Sequence, residues 1–301
     1  MIELVIPARR KDLGGGLEVG RVLPFAQKRM VGPFVFLDHM GPADFADGQG
    51  IDVRPHPHIG LATVTYLFSG EIVHRDNMGY RQSITSGAVN WMTAGQGVVH
   101  SERSPRPRAR AKVHGMQAWV ALPDGSEDVA PSFTHYGEEN SRGFGEAGAN
   151  GRLLAGEAYG LKSAVQTFSP MFYAHVELAR GARVAVPAGH DQRGAFVVSG
   201  EVAVDGKNYG DGNLIVFAKG GEPVVTAVAP STLMLLGGAA IGERHIWWNF
   251  VSSSRERIEQ AKADWRAGRM KLPPDDTAEF IPLPPDAEPP HPNDQHQTKA
   301  A

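Results

Sequence analysis

The chain has 301 residues, enough for about two domains of ordinary size, and its formal net charge is -3 at pH 7. It contains no cysteine, which excludes a disulfide framework, a thiolate nucleophile and a Cys-ligated zinc or iron–sulfur site, so any metal must be held by His and carboxylate. The 36 Gly and 22 Pro predict short elements joined by many turns, and the slightly acidic charge gives no field that would attract nucleic acid or anionic lipid.

The N-terminal residues do not resemble a targeting signal. The apolar run at residues 2–7 comes before Arg9, Arg10 and Lys11, whereas a secretory signal has its basic residues first. No stretch of sequence approaches the roughly 18 consecutive apolar residues that a membrane span requires. We therefore expect a cytoplasmic protein with no membrane partner.

Strand-like segments follow one another through the first half. They are short, rich in Val, Thr, Tyr and Phe, and separated by Gly, a pattern typical of β-sandwiches and barrels. They cover residues 31–40, 60–76, 87–102 and 114–123. We therefore expect an all-β domain over residues 1–135.

The second half repeats this style from about Phe172 onward. Residues 65–73 and 195–203 both run an apolar strand through Ser-Gly-Glu into another strand. We interpret this shared phrase as a hairpin that occurs twice, which indicates two copies of one β-domain. The second copy is assigned to residues 136–250, and a Gly-rich loop over residues 136–151 is expected to join the halves.

The C-terminal segment, residues 251–301, begins with a helical pattern. Ser253 and Glu256 form a candidate capping box, apolar residues follow at i, i+3 and i+7 from Ile258, and Gly268 can end the helix. Eight Pro follow the helix, which excludes regular structure and predicts an extended strap or tail.

Two pairs of ligand-type residues indicate a metal site. His56 and His58, and likewise His100 and Glu102, are two residues apart, so each pair points to one face of a predicted strand. On neighbouring strands the pairs would converge, and three imidazoles with one carboxylate suit a divalent transition metal that keeps open positions for water or substrate. A single His-x-His is more often solvated or structural, so the prediction depends on there being two pairs.

The residues around these pairs resemble a known family. The runs 56–67, 79–87 and 91–102 are similar to the signature of the pirin family within the cupin superfamily, and the likeness extends from 31–39 to 243–251. The resemblance implies a bicupin, with two jelly-roll domains in tandem. It also implies iron or a similar metal in the N-terminal cupin, bound by the two residue pairs, and a C-terminal cupin without metal.

The second half of the sequence agrees with a single metal site. It offers only His190 where the first half has its His pair, and no His-x-Glu pair follows Gly212. The general cupin pattern places a Glu shortly after the His pair, whereas this chain has Ala62 and Thr63 there. The carboxylate must therefore come from Glu102, as the resemblance implies.

Further residues are candidates for supporting the site. Imidazoles that bind metal usually donate their second N–H to a carboxylate, a carbonyl or water, and Asp52, Asp38 and Gln117 lie in the predicted strands or turns nearby. Phe34 and Phe36 alternate along one predicted strand. They are candidates for walling a pocket for a flat ligand, with ordinary core packing as the alternative.

Two charged regions are interpreted as structural. His74 and Arg75 follow the repeated phrase and are assigned to the surface. Residues 103–112 carry five basic side chains interleaved with Pro, which we interpret as a solvated loop near the site. A clamp for an anionic partner or a nucleic-acid arm is the alternative for this loop.

The resemblance implies two functions, and the sequence leaves both open. One is an oxidoreductase of the quercetin 2,3-dioxygenase type, which opens the heterocycle of a flavonol with O₂ and releases carbon monoxide, with Glu102 as ligand or base. The other is a non-enzymatic iron-binding redox sensor that binds a transcription factor or a metabolic enzyme. The ligand set fits Fe²⁺, Mn, Ni, Cu or Zn. A deep pocket beside the metal would favour the enzyme, and a plugged site would favour the sensor.

Overall fold

The computed structural model describes residues 1–13, 17–105 and 112–285, which are mostly β-strand. The strands of the first half are β1 (Ile2–Pro7), β2 (Arg9–Asp12), β3 (Glu18–Leu23), β4 (Phe34–Asp44), β5 (Asp52–His58), β6 (Leu61–Asp76), β7 (Arg81–Thr85), β8 (Val89–Thr93), β9 (Val98–Arg103), β10 (Lys112–Ala121) and β11 (Ser132–Tyr136).

The second half follows the same plan after a short 3-10 helix at Glu138–Asn140. Its elements are β12 (Arg142–Glu146), β13 (Ala149–Ala158), β14 (Leu161–Lys162), β15 (Met171–Leu178), β16 (Arg183–Ala185), β17 (Gln192–Ser199), β18 (Glu201–Val204), β19 (Lys207–Gly210), β20 (Asn213–Phe217), β21 (Val224–Ala227), β22 (Ser231–Gly238), β23 (His245–Trp247), β24 (Phe250–Ser252) and the helix α1 (Arg255–Arg266).

Each half contains one large antiparallel sheet. In the first half the strand order is β11-β8-β6-β10-β4-β3-β2, and β5, β7 and β9 extend the sheet along the second part of β6. In the second half the order is β1-β20-β17-β22-β15-β13-β12, accompanied by a four-stranded sheet in the order β16-β21-β18-β19. The predicted all-β fold, with two similar halves followed by one helix, is confirmed for the described residues.

The repeated Ser-Gly-Glu phrase does not form the predicted hairpin. At Gly70, β6 leaves its pairing with β8 and β10 and continues beside β7 and β9. At Gly200 the chain passes from β17 in the large sheet to β18 in the four-stranded sheet. Both glycines have positive φ, 95° and 88°, and a Cβ on either would collide with a backbone carbonyl, that of Lys112 or Pro230. The phrase therefore bends the chain from one set of partner strands to another, and only glycine fits at the bend.

The N-terminal strand crosses to the other half. β1 pairs with β20, and Ile6 is buried in a core that also contains Phe34 of the first half and Phe196 of the second. β1, which falls within the predicted first domain of residues 1–135, therefore pairs into the sheet of the second half, and its Ile6 lies in a core that both halves share. The predicted loop over residues 136–151 also contains β12 and the start of β13.

The helix α1 packs behind the strands that carry the predicted metal ligands. Its N-cap is Ser254 instead of the predicted Ser253, because the Ser254 hydroxyl accepts a hydrogen bond from the Arg257 N–H at 3.2 Å. The residues in this contact are Ile258, Ala261 and Trp265 of α1 with Ile59, Val99 and Phe250. No helix within the described ranges combines the length and the apolar composition needed to cross a bilayer.

Residues 272–285 form an extended strap across the first half, as predicted. The Ile281 N–H donates to the Pro55 carbonyl at 2.8 Å, and the Trp265 indole N–H donates to the Ile281 carbonyl at 3.1 Å. The strap is thereby tied to β5 on one side and to α1 on the other. The rest of the predicted Pro-rich tail, residues 286–301, lies outside the described residues.

Candidate metal centre

The three predicted histidines meet at the junction of β5 and β9. The two strands are antiparallel neighbours, with His56 opposite His100 and His58 opposite Val98. One ring nitrogen from each of the three histidines lies within 4.8 Å of the others, and all three side chains are buried. Alternation along β9 sends Val99 to the other side, where it packs in the core under α1.

Two prolines suit β5 to this position. Pro55 and Pro57 flank His56, and a proline has no N–H for a ladder hydrogen bond, which confines it to the edge of a sheet. Within the described chain, β9 is the strand with which β5 pairs. The outer side of β5 is covered by the strap through the Pro55 carbonyl.

Backbone carbonyls set the tautomers of two of the histidines. The His56 Nδ1 lies 2.8 Å from the Arg54 carbonyl oxygen, and the His58 Nδ1 lies 3.2 Å from the Asn249 carbonyl oxygen. A carbonyl oxygen only accepts, so each Nδ1 carries the proton and each Nε2 has a free lone pair. Burial lowers the pKa of His56 to about 4 and holds the pKa values of His58 and His100 well below 6.5. The three imidazoles are therefore neutral at pH 7, the form that binds metal.

The donor set fits a transition-metal ion. The Nε2 of His100 is buried with no hydrogen-bond partner, and leaving a buried polar atom without a partner costs free energy. A cation among the three ring nitrogens would satisfy it, and neutral imidazoles suit iron, nickel, copper, zinc or manganese in their divalent states. The cluster thus fits the metal that the sequence predicted.

Glu102 faces the same space but stands apart from the close group. Glu102 lies on β9, opposite Val53 of β5. The register of the two strands shifts between this pair and the pair of His56 with His100. The Glu102 carboxylate is not among the ligand atoms that lie within 4.8 Å of one another. The Thr65 hydroxyl lies 3.2 Å from Glu102 Oε1 and 2.9 Å from Gln117 Oε1. Burial raises the pKa of the Glu102 carboxyl, an effect that His74 and the Thr65 hydrogen bond oppose.

A cavity of about 390 Å³ opens beside the histidines. Glu102, Gln117 and the three histidines contribute polar groups to its lining, and its walls are otherwise largely apolar. On one side Phe36 stacks on Trp119, with ring centroids 4.0 Å apart and an interplanar angle of 13°. The volume lies within the roughly 300–1,000 Å³ of small-molecule sites. Further wall residues are Leu17, Val19, Ile51, Ile72, Ile246 and Ile281.

The predicted supporting carboxylates have other partners. Asp38 lies on the cavity wall and forms a two-point ion pair with Arg21, at 2.9 and 2.8 Å. Asp52 forms an ion pair with Arg103. The Asp52 contact lies at the start of β5, where Arg103 at the end of β9 is its opposite residue. Gln117 lines the cavity, and its Oε1 lies 2.9 Å from the Thr65 hydroxyl.

Phe34 and Phe36 separate instead of sharing a face. Phe36 is opposite Trp119 and Phe34 is opposite Val120, so two residue steps of β4 oppose a single step of β10. This β-bulge breaks the alternation of side chains. Phe36 therefore lines the cavity, whereas the Phe34 ring lies in the core between the halves, 5.4 Å from the ring of Tyr173.

His74 and Asp76 are part of the site, although the sequence analysis assigned His74 to the surface. His74 is buried, its Nδ1 lies 3.4 Å from the Nδ1 of His100, and its Nε2 lies 2.9 Å from Asp76 Oδ2. The signal that could have found them is the same i, i+2 spacing that identified the ligand pairs. The spacing did not identify them because the Ser-Gly-Glu phrase predicts a hairpin turn at Gly70. The bend there instead brings this part of β6 beside β9.

The hairpin β23–β24 closes the cavity from the far end of the chain. Its Asn249 carbonyl holds His58, a contact between residues 191 positions apart. Trp248 lines the cavity and has a φ of 51°, an uncommon conformation for a bulky residue. Neither role has a local sequence signal, because both depend on the packing of the two halves.

The predicted basic loop divides into parts with different roles. Arg103 lies at the end of β9 and pairs with Asp276 and Glu279 of the strap. Lys112 is exposed at the start of β10 and pairs with Asp44. Residues 106–111 lie outside the described residues.

Two protein-family models match the chain. The Pirin family model matches residues 16–120, and the model of the Pirin C-terminal cupin domain matches residues 173–271. The chain belongs to the pirin family. The resemblance found in the sequence and the two-cupin architecture are thereby confirmed.

Similar proteins agree with this assignment. A pirin-like protein from Caulobacter vibrioides is 56% identical over 288 residues, 94% of this chain and 100% of that protein. The crystal structure of a quercetin 2,3-dioxygenase from Acinetobacter baumannii superposes with a TM-score of 0.87 at 31% identity, covering 93% of this chain and 94% of that one. A bacterial pirin from Escherichia coli in complex with nickel(II) has a TM-score of 0.63 at 18% identity, covering 80% and 100%, and shows the shared fold.

Proposed function

We propose that this pirin-family chain is a metal-dependent dioxygenase that acts on a flavonol-like substrate, of the quercetin 2,3-dioxygenase type. The observation that carries the proposal is the cavity of about 390 Å³ that borders the three-histidine cluster. The similar structure from Acinetobacter baumannii, named as such an enzyme, supports it. Ligand chemistry alone does not choose the metal, so Fe²⁺ is proposed, with Mn, Ni, Cu and Zn as alternatives.

His56, His58 and His100 would hold the ion through their Nε2 atoms, with Glu102 as a fourth ligand or as a base beside it. When bound, the ion supplies a Lewis-acidic centre with open positions for substrate and O₂. The neutral histidines leave the charge of the ion largely uncompensated, which favours an anionic oxygen of the substrate. The fixed Nδ1–H of His56 and of His58 keeps each Nε2 available without rearrangement.

The cavity walls have separate tasks in this proposal. The stacked pair Phe36 and Trp119, with the Arg21 guanidinium 4.5 Å from the centroid of the Phe36 ring, would form the aromatic wall against which the fused rings of a flavonol pack. Glu102 faces the cavity and would take the proton of the flavonol hydroxyl, which requires an approach to about 2.6–3.2 Å. Thr65 lies between Glu102 and Gln117, within hydrogen-bond distance of an oxygen of each, and its single hydroxyl proton is donated to one of the two.

The test is turnover of quercetin by chain reconstituted with Fe²⁺. We expect consumption of quercetin with uptake of O₂ and release of carbon monoxide, and no turnover without O₂. His58→Ala should abolish both metal retention and turnover, because it removes one of three converging nitrogens. His190→Ala, which changes a histidine of the second cupin at the place of the first cupin's His pair, is the matched control and should leave both intact. Turnover that survives chelation or the loss of His58 would contradict the proposal.

The non-enzymatic redox sensor is the alternative hypothesis. It rests on the sequence alone, since the basic residues 106–111 lie outside the described residues, and the open cavity favours the enzyme. Pull-downs with ferrous and ferric protein test it: partners that differ between the two states would support a sensor, and identical partners would argue against it.

A further inference from the structure

His100 differs from the other two histidines in how its Nδ1 is held. His56 and His58 each face a backbone carbonyl, whose role as acceptor is fixed. His100 faces a second imidazole, that of His74, and the contact joins the two Nδ1 atoms at 3.4 Å. Either ring can donate in such a contact, so something else must decide which one carries the proton.

Asp76 decides it. The Asp76 carboxylate is fully buried, and its Oδ1 lies 2.9 Å from the Met78 N–H and 3.1 Å from the Tyr80 N–H, so this oxygen accepts from two backbone donors. Its Oδ2 lies 2.9 Å from His74 Nε2. A carboxylate is an acceptor, so the His74 proton is on Nε2 and its Nδ1 carries a lone pair.

The tautomer of His74 in turn fixes the tautomer of His100. Because His74 Nδ1 accepts, His100 Nδ1 must donate, and the Nε2 of His100 is left with a free lone pair. This Nε2 is the buried ring nitrogen with no hydrogen-bond partner. The sheet fixes the order of the groups, since β9 lies beside β6 with His100 opposite Asp76 and Glu102 opposite His74.

We infer that Asp76 and His74 are positioning residues that select the metal-binding tautomer of His100 through two successive hydrogen bonds. The inference rests on the proposed function, in which His100 is a metal ligand. His74 also stacks on Phe133, with ring centroids 4.2 Å apart and an interplanar angle of 12°, which fixes the plane of the ring that the relay requires.

Asp76→Asn tests the relay because it is nearly isosteric and reverses the polarity. The amide oxygen stays with the Met78 and Tyr80 N–H groups, so the amide NH₂ faces His74. His74 must then accept at Nε2 and donate from Nδ1, and the proton of His100 moves to Nε2, where it blocks the metal. Loss of such outer hydrogen bonds lowers metal affinity by about 10- to 100-fold.

Two readouts are needed, both on full-length protein. Nitrogen-15 NMR of the metal-free chain reports the tautomer of His100: we expect the proton on Nδ1 in the wild type and on Nε2 in Asp76→Asn. Competition of Ni²⁺ against a chelator measures affinity, which should fall by about 10- to 100-fold in the variant. A merely structural role for Asp76 would change the thermal midpoint without moving the proton of His100.

Two further variants keep the test decisive if Asp76→Asn folds poorly. His74→Phe keeps the stack on Phe133 but removes the acceptor, so His100 should populate both tautomers and Ni²⁺ affinity should fall by about tenfold. Asp52→Asn makes the same chemical change on β5, outside the relay, and should keep the wild-type tautomer and affinity.

The outcomes separate this inference from the proposed function. If the wild type binds Ni²⁺ but Asp76→Asn keeps both its tautomer and its affinity, the relay is wrong and the metal site stands. If the wild type binds neither Ni²⁺ nor Fe²⁺, the proposed function fails, and the NMR readout still decides the relay. A wild-type His100 with its proton on Nε2, or a doubly protonated His74, would also overturn the relay.

Discussion

The two cupins of this chain share a scaffold and differ in what fills it. In each, a strand bends at a glycine of positive φ within Ser-Gly-Glu and passes from one sheet to the next. In the first cupin the bent strand lies beside β9, and the interior carries three histidines and a cavity. In the second the corresponding interior is a core of valine, leucine, isoleucine and phenylalanine, of which Phe172, Val202, Phe217 and Leu235 are members.

The difference shows that a polar site in this fold replaces apolar core packing. In the second cupin only His190 stands where the first cupin has its His pair. Its Nε2 lies near the Glu157 carbonyl, and the core of this cupin buries apolar side chains that stabilise the fold by about 25 cal/mol per Å². The first cupin gives up part of that stabilisation for buried polar groups, and it satisfies most of them with the carbonyls of Arg54 and Asn249 and with Asp76. One of these groups, the Asn249 carbonyl, comes from the hairpin β23–β24, so the first cupin depends on a contact from the C-terminal part of the chain.

The largest expected effect comes from a comparison of two phenylalanines of β4: Phe34 in the core between the halves and Phe36 on the cavity wall. Phe34→Ala should lower the free energy of unfolding by about 3–5 kcal/mol, because its buried ring packs between the halves. Phe36→Ala should cost less stability and raise the KM for quercetin by about tenfold, because it removes half of the stacked wall. Denaturant unfolding and steady-state kinetics measure the pair. Equal changes in KM for both variants would contradict the assignment.

A smaller effect tests whether the two bends are equivalent. Gly70→Ala and Gly200→Ala should each lower the free energy of unfolding by about 1–3 kcal/mol, because both need positive φ beside a backbone carbonyl. Only Gly70→Ala should also weaken Ni²⁺ binding, since the strand beyond it carries His74. Gly210→Ala, where a Cβ would meet open space, is the control and should have little effect. A loss of Ni²⁺ affinity in Gly200→Ala would contradict this prediction, because it would show that the bend of the second cupin also affects the metal site of the first.

The smallest expected effect concerns the strap, residues 272–285, which lies across the first half. Burial alone would raise the pKa of Asp276, but the two hydrogen bonds that the Arg103 guanidinium donates to the carboxylate oppose this effect, and the pKa lies below 3.8. The strap contact therefore contributes stability above pH 3.8 and loses it as the pH falls through the lowered pKa. Asp276→Asn should cost about 1.5 kcal/mol at neutral pH.

The check on the strap is the difference in unfolding free energy between wild type and Asp276→Asn as a function of pH. The difference should shrink as the pH falls below 3.8. A difference that is as large at about pH 3 as at neutral pH would show that the ion pair with Arg103 does not hold the strap.

Sequence patterns predicted the parts of this molecule that depend on local spacing. The all-β class, the helix near residues 255–266 and the convergence of His56, His58 and His100 all follow from periodicity and from the i, i+2 rule. Two pairs of ligand residues were enough because a strand fixes the direction of each pair.

The misses around the candidate site come from contacts between distant parts of the chain. The bulge that separates Phe34 from Phe36 depends on pairing with β10, and the bend at Gly70 depends on which strands lie on either side of it. Once that bend was taken for a hairpin, His74 was assigned to the surface. The Asn249 carbonyl that holds His58 reaches across 191 residues, a distance at which a single sequence carries no signal.

The most direct test of the account is anomalous diffraction at the iron edge from crystals soaked in Fe²⁺. The account predicts one strong peak in the first cupin, between the Nε2 atoms of His56, His58 and His100, and none in the second cupin. No peak among these nitrogens, or a peak held by other residues, would contradict it.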